Sequence, residues 1–117
     1  MKSALVVDDD LASADIFTYT LERFNFRTVA VHSAEKALEY LQDNRPDLIL
    51  LDVRLPGQDG TAVIDAMLAE GRLDETRVIL VSASELGRRF EHYDREFGFL
   101  LKPVKAHDLR AYLNDLL

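Results

Sequence analysis

Three carboxylates, one ammonium group and one hydroxyl stand where a folded chain could gather them for phosphoryl transfer. Asp8 and Asp9 follow the apolar run Ala4 to Val7, Asp52 follows Leu48 to Leu51, Ser82 follows Val78 to Val81, and Lys102 follows the stretch Phe97 to Leu101. If those runs are parallel strands of one sheet, all of these groups lie along the same edge, where ligands of open α/β sheets bind. Gathered carboxylates repel: two charges 4 Å apart interact by roughly 4 kcal/mol at an effective dielectric near 20. A cation must offset that repulsion. The donor set is oxygen, without sulfur or imidazole, which suits magnesium, a metal that takes carboxylates, waters and phosphate oxygens octahedrally. A carboxylate beside such a metal can attack a phosphoryl group and become an acyl phosphate. The metal, Lys102 and the Ser82 hydroxyl would then steady the charge on the transferred oxygens.

Each group taken singly has an ordinary explanation. Asp8 to Asp10 could be an acidic helix start, favoured by the positive end of the macrodipole. Asp52 could be a strand-end turn residue, and Ser82 and Lys102 polar residues leaving a strand. Their joint placement after four different strands is what argues for a site. His32, His92 and His107 share no metal-ligand spacing and read as solvated, and Arg88 and Arg89 read as an exposed helix face.

The elements that must position these groups are legible in the hydrophobic pattern. Short apolar runs alternate with amphipathic stretches, the signature of repeated strand-helix units around a parallel sheet. Ala4 to Val7, Leu48 to Leu51 and Val78 to Val81 are too continuously apolar to be half solvated, so they form the centre of the sheet. A mixed strand near Arg27 to Val31 and another near Phe97 to Leu101 are placed at its edges. Ala14, Phe17, Leu21 and Phe24 recur at helical spacing and predict a first helix from about Leu11 to Arg23. Ser33 is positioned to cap a second helix carrying Ala34, Ala37, Leu38 and Leu41, with Pro46 just beyond it. A third runs from Gly60 to about Glu70, with Val63, Ala66 and Met67 inward and Gly71 as its stop. Leu86, Phe90 and Tyr93 mark a fourth, dense in charge, and Leu109, Leu113 and Leu116 a fifth from about His107 to Leu117. Right-handed crossovers favour a doubly wound, flavodoxin-like (βα)5 fold of the α/β class, with a parallel five-stranded sheet in the order 2-1-3-4-5.

The composition agrees with one such domain over residues 1–117 and narrows its partners. At 48% hydrophobic content the 117 residues suffice for one core. No apolar run approaches the roughly 18 residues of a membrane span, and no secretory signal pattern is seen, so a cytoplasmic location is expected. The absence of cysteine excludes disulfides and thiolate metal sites, and a net charge of −7 opposes direct binding to nucleic acid or an anionic membrane.

The segments ALVVDDD at 4 to 10, LILLDVRLPGQDG at 48 to 60, VILVSAS at 78 to 84 and FLLKPV at 99 to 104 together resemble the receiver domain of two-component response regulators. The resemblance spans essentially the whole chain. It implies that Asp52 is the phosphoacceptor, that Asp9 ligates magnesium directly and that Asp8 holds it through water. The Arg54 backbone carbonyl is implied as a further ligand, with manganese a substitute for magnesium. Lys102 would pair with the phosphoryl group, Ser82 would move toward it, and Phe99 would be the aromatic switch that turns inward in response. Lys102-Pro103 would be a cis peptide, a geometry essentially confined to bonds before proline, and Pro56, Gly57 and Gly60 would shape the loop beyond Asp52. The implied donor is a histidine kinase or histidine phosphotransfer protein. The implied output is a further protein or domain, or a homodimer, engaged through the face of helix four, strand five and helix five.

Two features depart from the family pattern: the chain between Ser82 and Lys102 is slightly short, and Arg95, Glu96, Phe97 and Gly98 replace a small-residue turn. Arg54 and Ser84 stand two residues past key positions and line the entrance to Asp52. The hypothesis is that the Arg54 guanidinium covers the phosphoryl group and prolongs its life. Two other functions fit less well. A magnesium-dependent phosphatase or phosphotransferase of small molecules would add a cap or insertion, and the chain has none. A flavin carrier of this fold would need a hydroxyl- and glycine-rich first loop, where this chain is acidic.

Overall fold

The computed structural model of the chain describes residues 2–55, 60–83, 93 and 97–116. The elements follow in the order β1 (Lys2–Val7), α1 (Leu11–Arg23), β2 (Phe26–Val31), α2 (Ala34–Asp43), β3 (Leu48–Asp52), α3 (Gly60–Ala69), β4 (Arg77–Ser82), β5 (Gly98–Leu101) and α4 (Ala106–Leu116). All five strands pair in parallel, in the order β2-β1-β3-β4-β5. The three continuously apolar runs occupy the centre and the two mixed strands the edges, as their composition requires. The fourth expected helix, with Leu86, Arg88, Arg89, Phe90 and His92, lies outside the described residues apart from Tyr93. The fifth is α4.

Alternation along the central strands feeds two cores. Ala4, Val6, Leu48, Leu50, Ile79 and Val81 pack with Ala14, Phe17 and Leu21 of α1 and Leu109 and Leu113 of α4 on one face. Leu5, Val7, Ile49, Leu51, Val78 and Leu80 pack with Ala37 and Leu41 of α2 and Val63, Ile64 and Met67 of α3 on the other. The helices leaving β1 and β3 therefore diverge to opposite faces. That divergence opens a cleft between the two strand ends.

Local chemistry sets the ends of the helices. Ser33 has extended backbone and its hydroxyl accepts from the Lys36 amide, so it caps α2 as expected. Gly71 takes φ +67 just past α3, a conformation that side-chain-bearing residues disfavour. Within α3 the inward set differs by one residue from the expectation: Ile64 is fully buried, whereas Ala66 is half-buried.

Arg72 was not singled out by its sequence context, yet it is only 4% exposed and closes the end of α2. Its guanidinium donates to the carbonyls of Leu41 and Asn44, each at 2.6 Å, and pairs with Glu70 at 3.2 Å. The carbonyls of a helix C-terminus lack intrahelical partners, and a charged donor there is worth more than a neutral one. Arg72→Ala is expected to cost about 2 kcal/mol, read as a lower denaturation midpoint with unchanged cooperativity. A midpoint equal to that of the wild type would show that water satisfies those carbonyls equally well.

Candidate functional site

Strand registers bring the reactive groups level. Val7 pairs with Leu51, so Asp8 and Asp52 each stand one step further, at adjacent strand ends. Asp52 pairs with Val81, and Ser82 with Leu101, so Ser82 and Lys102 follow in the same staggered row. The Lys102 amide donates to the Ser82 carbonyl at 2.7 Å, joining the ends of β4 and β5.

One carboxylate oxygen from each of Asp8, Asp9 and Asp52 lies within 4.8 Å of the other two. Asp8 is 1% exposed and Asp52 6%, while Asp9 opens to solvent. The Lys102 ammonium sits 3.1 Å from Asp52 Oδ2 and 3.2 Å from Asp8 Oδ2. Three carboxylates against one ammonium leave a surplus of two negative charges, the charge that one divalent cation balances. Asp8 Oδ2 is buried and lacks a hydrogen bond, its ion-pair distance to Lys102 aside. An orphaned oxygen in an all-carboxylate cluster fits a hard cation, so the residues present suit magnesium.

The electrostatics of the Asp52–Lys102 pair are one-sided. Burial pushes the Asp52 carboxyl above its usual value, and the hydrogen bond and charge of Lys102 do not fully reverse this. Burial pulls the Lys102 ammonium down, but Asp52 and Asp8 together outweigh it and hold its pKa above 10.5. The pair therefore favours the ammonium more than it favours the carboxylate.

Backbone turns fix each acid. The Asp10 amide donates to Asp8 Oδ1 at 2.9 Å, and the Arg54 amide donates to Asp52 Oδ1 at 3.1 Å. Asp10 is the N-cap of α1, accepting from the Ala12 amide and the Ser13 hydroxyl, and that hydroxyl is the main influence holding its carboxyl below the usual value. The acidic-helix-start explanation thus fits Asp10, while Asp8 and Asp9 turn to the cluster. Gly60 opens α3 directly behind Asp52: a Cβ there would stand 3.0 Å from the Asp52 carbonyl oxygen, and its amide donates to the Val53 carbonyl.

The remaining expected residues are spread around this centre. Ser82 is buried at the end of β4. Arg54 is exposed beside Asp52. Phe99 lies on the edge strand, 36% exposed, and belongs to the sheet rim rather than to the cluster. The Lys102-Pro103 peptide is cis. Pro56, Gly57 and Ser84 lie outside the described residues. His107 is exposed and close to Asp108, but His32 does more than face water: its Nδ1 lies 2.9 Å from the Asp8 carbonyl oxygen. Metal-ligand spacing could not reveal that contact. The pairing of Val7 with Val31 could, because it sets the residues after both strands side by side.

A family model described as the response regulator receiver domain matches residues 4–114. The chain belongs to the response-regulator receiver family. This is a family of signalling domains, with the flavodoxin-like fold seen here. The transcriptional regulatory protein CpxR of Escherichia coli K12 is 34% identical over 119 residues, taking in all of this chain and 50% of that protein. The receiver chain spans about half the length of the transcriptional regulators it matches, among them AfsQ1 of Streptomyces coelicolor. The chemotaxis response regulator CheY4 of Vibrio cholerae superposes with a TM-score of 0.86 over all of this chain and 99% of that one; its 23% identity speaks to fold alone. The receiver domain of sensor histidine kinase PA1611 from Pseudomonas aeruginosa PAO1 is 25% identical with a TM-score of 0.80, over 97% of this chain and 95% of that one. It was crystallised with a magnesium ion coordinated in its active site cleft. Among the described residues of this receiver, no helix is long and apolar enough to cross a membrane.

Proposed function

We propose that residues 1–117 form a phosphoacceptor receiver domain in which Asp52 takes a phosphoryl group from a histidine of a kinase or phosphotransfer protein. The observation that carries this reading is the acidic cluster with its single ammonium contact, gathered within 4.8 Å at the carboxyl edge of the sheet. An Asp52 oxygen attacks phosphorus, the phosphorus–nitrogen bond of the donor breaks, and the imidazole leaves with the electron pair. Bound magnesium would supply Lewis-acid stabilisation of the transferred oxygens, held by Asp9, Asp52 and the Arg54 carbonyl, with Asp8 acting through water. Lys102, released in part from Asp52 as that oxygen esterifies, pairs with the phosphoryl group. Water later hydrolyses the acyl phosphate, so in this reading the chain is a signalling phosphoacceptor that catalyses only its own phosphorylation and dephosphorylation.

Transmission follows from the joined ends of β4 and β5. Ser82 moves toward the phosphoryl group, and the hydrogen bond from Lys102 to the Ser82 carbonyl couples that shift to the strand carrying Phe99. Phe99 then turns inward and alters the rim presented to an output protein, an output domain or a second copy. This is a population shift between two arrangements of one surface.

The test is incubation with acetyl phosphate and magnesium, followed by intact mass. One added phosphoryl group, mapped to Asp52 and absent in chelator, is the expected result; addition at another residue, or equal addition without metal, contradicts it.

Arg54 sets the lifetime of the product in this reading. Its amide is tied to Asp52 while its side chain is exposed at the pocket mouth, where it would obstruct an attacking water. Arg54→Ala is expected to shorten the half-life of the acyl phosphate severalfold, measured by decay of the phosphorylated mass after donor removal. A half-life no shorter than the wild type would remove Arg54 from that role.

A further inference from the structure

We propose that His32 is a positioning residue for the first acidic turn, acting through its hydrogen bond to the Asp8 carbonyl; the part of its role that concerns metal rests on the magnesium reading above. The Asp8 residue is gripped on both sides by the end of β2. Its amide donates to the Val31 carbonyl at 3.1 Å, and its carbonyl oxygen lies 2.9 Å from His32 Nδ1. That carbonyl belongs to the planar peptide that carries the Asp9 nitrogen, so fixing it also fixes how the Asp9 backbone leaves the strand. Asp9 is exposed and has no hydrogen bond or ion pair of its own among the described residues, so its backbone is what places its carboxylate in the cluster.

The chemistry of the contact dictates a proton position. A carbonyl oxygen only accepts, so Nδ1 must carry the hydrogen, and the neutral ring then leaves Nε2 bare. Neutral histidine in water prefers the other tautomer, so the bond leaves a spectroscopic signature. The ring is exposed and its removal opens no core cavity, so its effect falls on the turn rather than on the fold.

Two measurements test this. Nitrogen-15 shifts of the His32 ring, recorded near pH 8 where histidine is ordinarily neutral, are expected to show Nδ1 protonated. Magnesium titrations followed through the Asp8 and Asp9 amide signals then compare three variants. His32→Asn puts an N–H where Nδ1 sits and is expected to keep the wild-type affinity within about twofold. His32→Leu fills the same space without a donor, and His32→Gln places its amide where Nε2 sits; each is expected to weaken binding by about tenfold. Melting midpoints should remain close to the wild type throughout. An Nε2-protonated ring, or His32→Leu binding as the wild type does, or His32→Leu and His32→Asn weakened alike, would overturn the proposal. A wild-type chain that binds no magnesium overturns the metal reading as well, a result told apart because it appears before any variant is compared.

Discussion

Asp52→Asn is expected to take up no phosphate from acetyl phosphate, while folding at least as stably as the wild type in metal-free buffer. The first half follows from chemistry: an amide oxygen is too weak a nucleophile to form the acyl phosphate, so the added mass falls to background. The second follows from the balance at the site. Asp52 is buried beside Asp8, and burial outweighs the help of Lys102, so the charged form is disfavoured in the fold. A neutral isostere removes that cost and leaves Lys102 paired with Asp8. Losing one member of a buried ion pair is ordinarily destabilising, but here Lys102 keeps Asp8 as its partner while the burial cost of Asp52 and its repulsion with Asp8 disappear.

The pH dependence carries the sign. A carboxyl with a raised folded pKa gives its greatest relative stability when protonated, and that advantage is lost as pH rises from 3.8 through the folded value. The wild type and Asp52→Asn should therefore match in acid and separate toward neutral pH, with the variant the more stable. Magnesium should close or reverse the gap, because the Asp52 carboxylate gains more from the cation than a neutral amide does. Urea denaturation at several pH values, with and without magnesium, checks both statements. A variant less stable than the wild type in metal-free neutral buffer would show that the Lys102 attraction outweighs burial.

Lys102→Ala is expected to do the opposite, costing about 2 kcal/mol at neutral pH without metal, a large share of a domain's margin. It leaves two buried carboxylates with no ammonium within ion-pair distance among the described residues. The loss is kept below that of a fully enclosed pair by the partial exposure of Lys102 and by protonation of one acid. Lys102 has a raised pKa, so its contribution is fully present below 10.5 and is lost as pH climbs through the folded value. Acidification helps the variant for another reason, since protonated carboxyls need no counter-charge. The stability gap should thus be narrow in acid, wide at neutral pH and narrow again in strong alkali. Phosphorylation by acetyl phosphate is expected to slow by about a hundredfold, because the transferred oxygens lose a fixed positive charge. A variant phosphorylated at the wild-type rate would leave Lys102 a structural counter-ion only.

Much of this arrangement was legible because it depends on burial patterns. A run such as Leu48 to Leu51, apolar at every position, has one economical home in a sheet covered on both faces, and the handedness of crossovers then fixes its neighbours. Positions one step past such runs follow directly, which is why Asp8, Asp52, Ser82 and Lys102 are found where expected. Contacts made by polar groups across the fold were harder to read. Arg72 reaches the end of a helix about thirty residues earlier in the chain, and His32 reaches the backbone just past the neighbouring strand β1. Neither contact has a local sequence signal, since each arises only once strands and helices are docked. Thr20 is another instance, a buried polar residue whose hydroxyl bonds back to the Ile16 carbonyl, invisible to a count of apolar positions.

The cleft between β1 and β3 is expected to hold a divalent cation beside Asp52. Manganese substitutes for magnesium at oxygen sites and erases nearby amide signals through its unpaired electrons, so a substoichiometric manganese titration of the labelled chain reads the position directly. Signals of Asp8, Asp9, Asp52 and Val53 should vanish first and return on adding excess magnesium, while those of Asp74 and Glu75, at the opposite edge of the sheet, persist. Equal loss at both edges, or an Asp52 signal that survives when others have gone, would place the cation elsewhere.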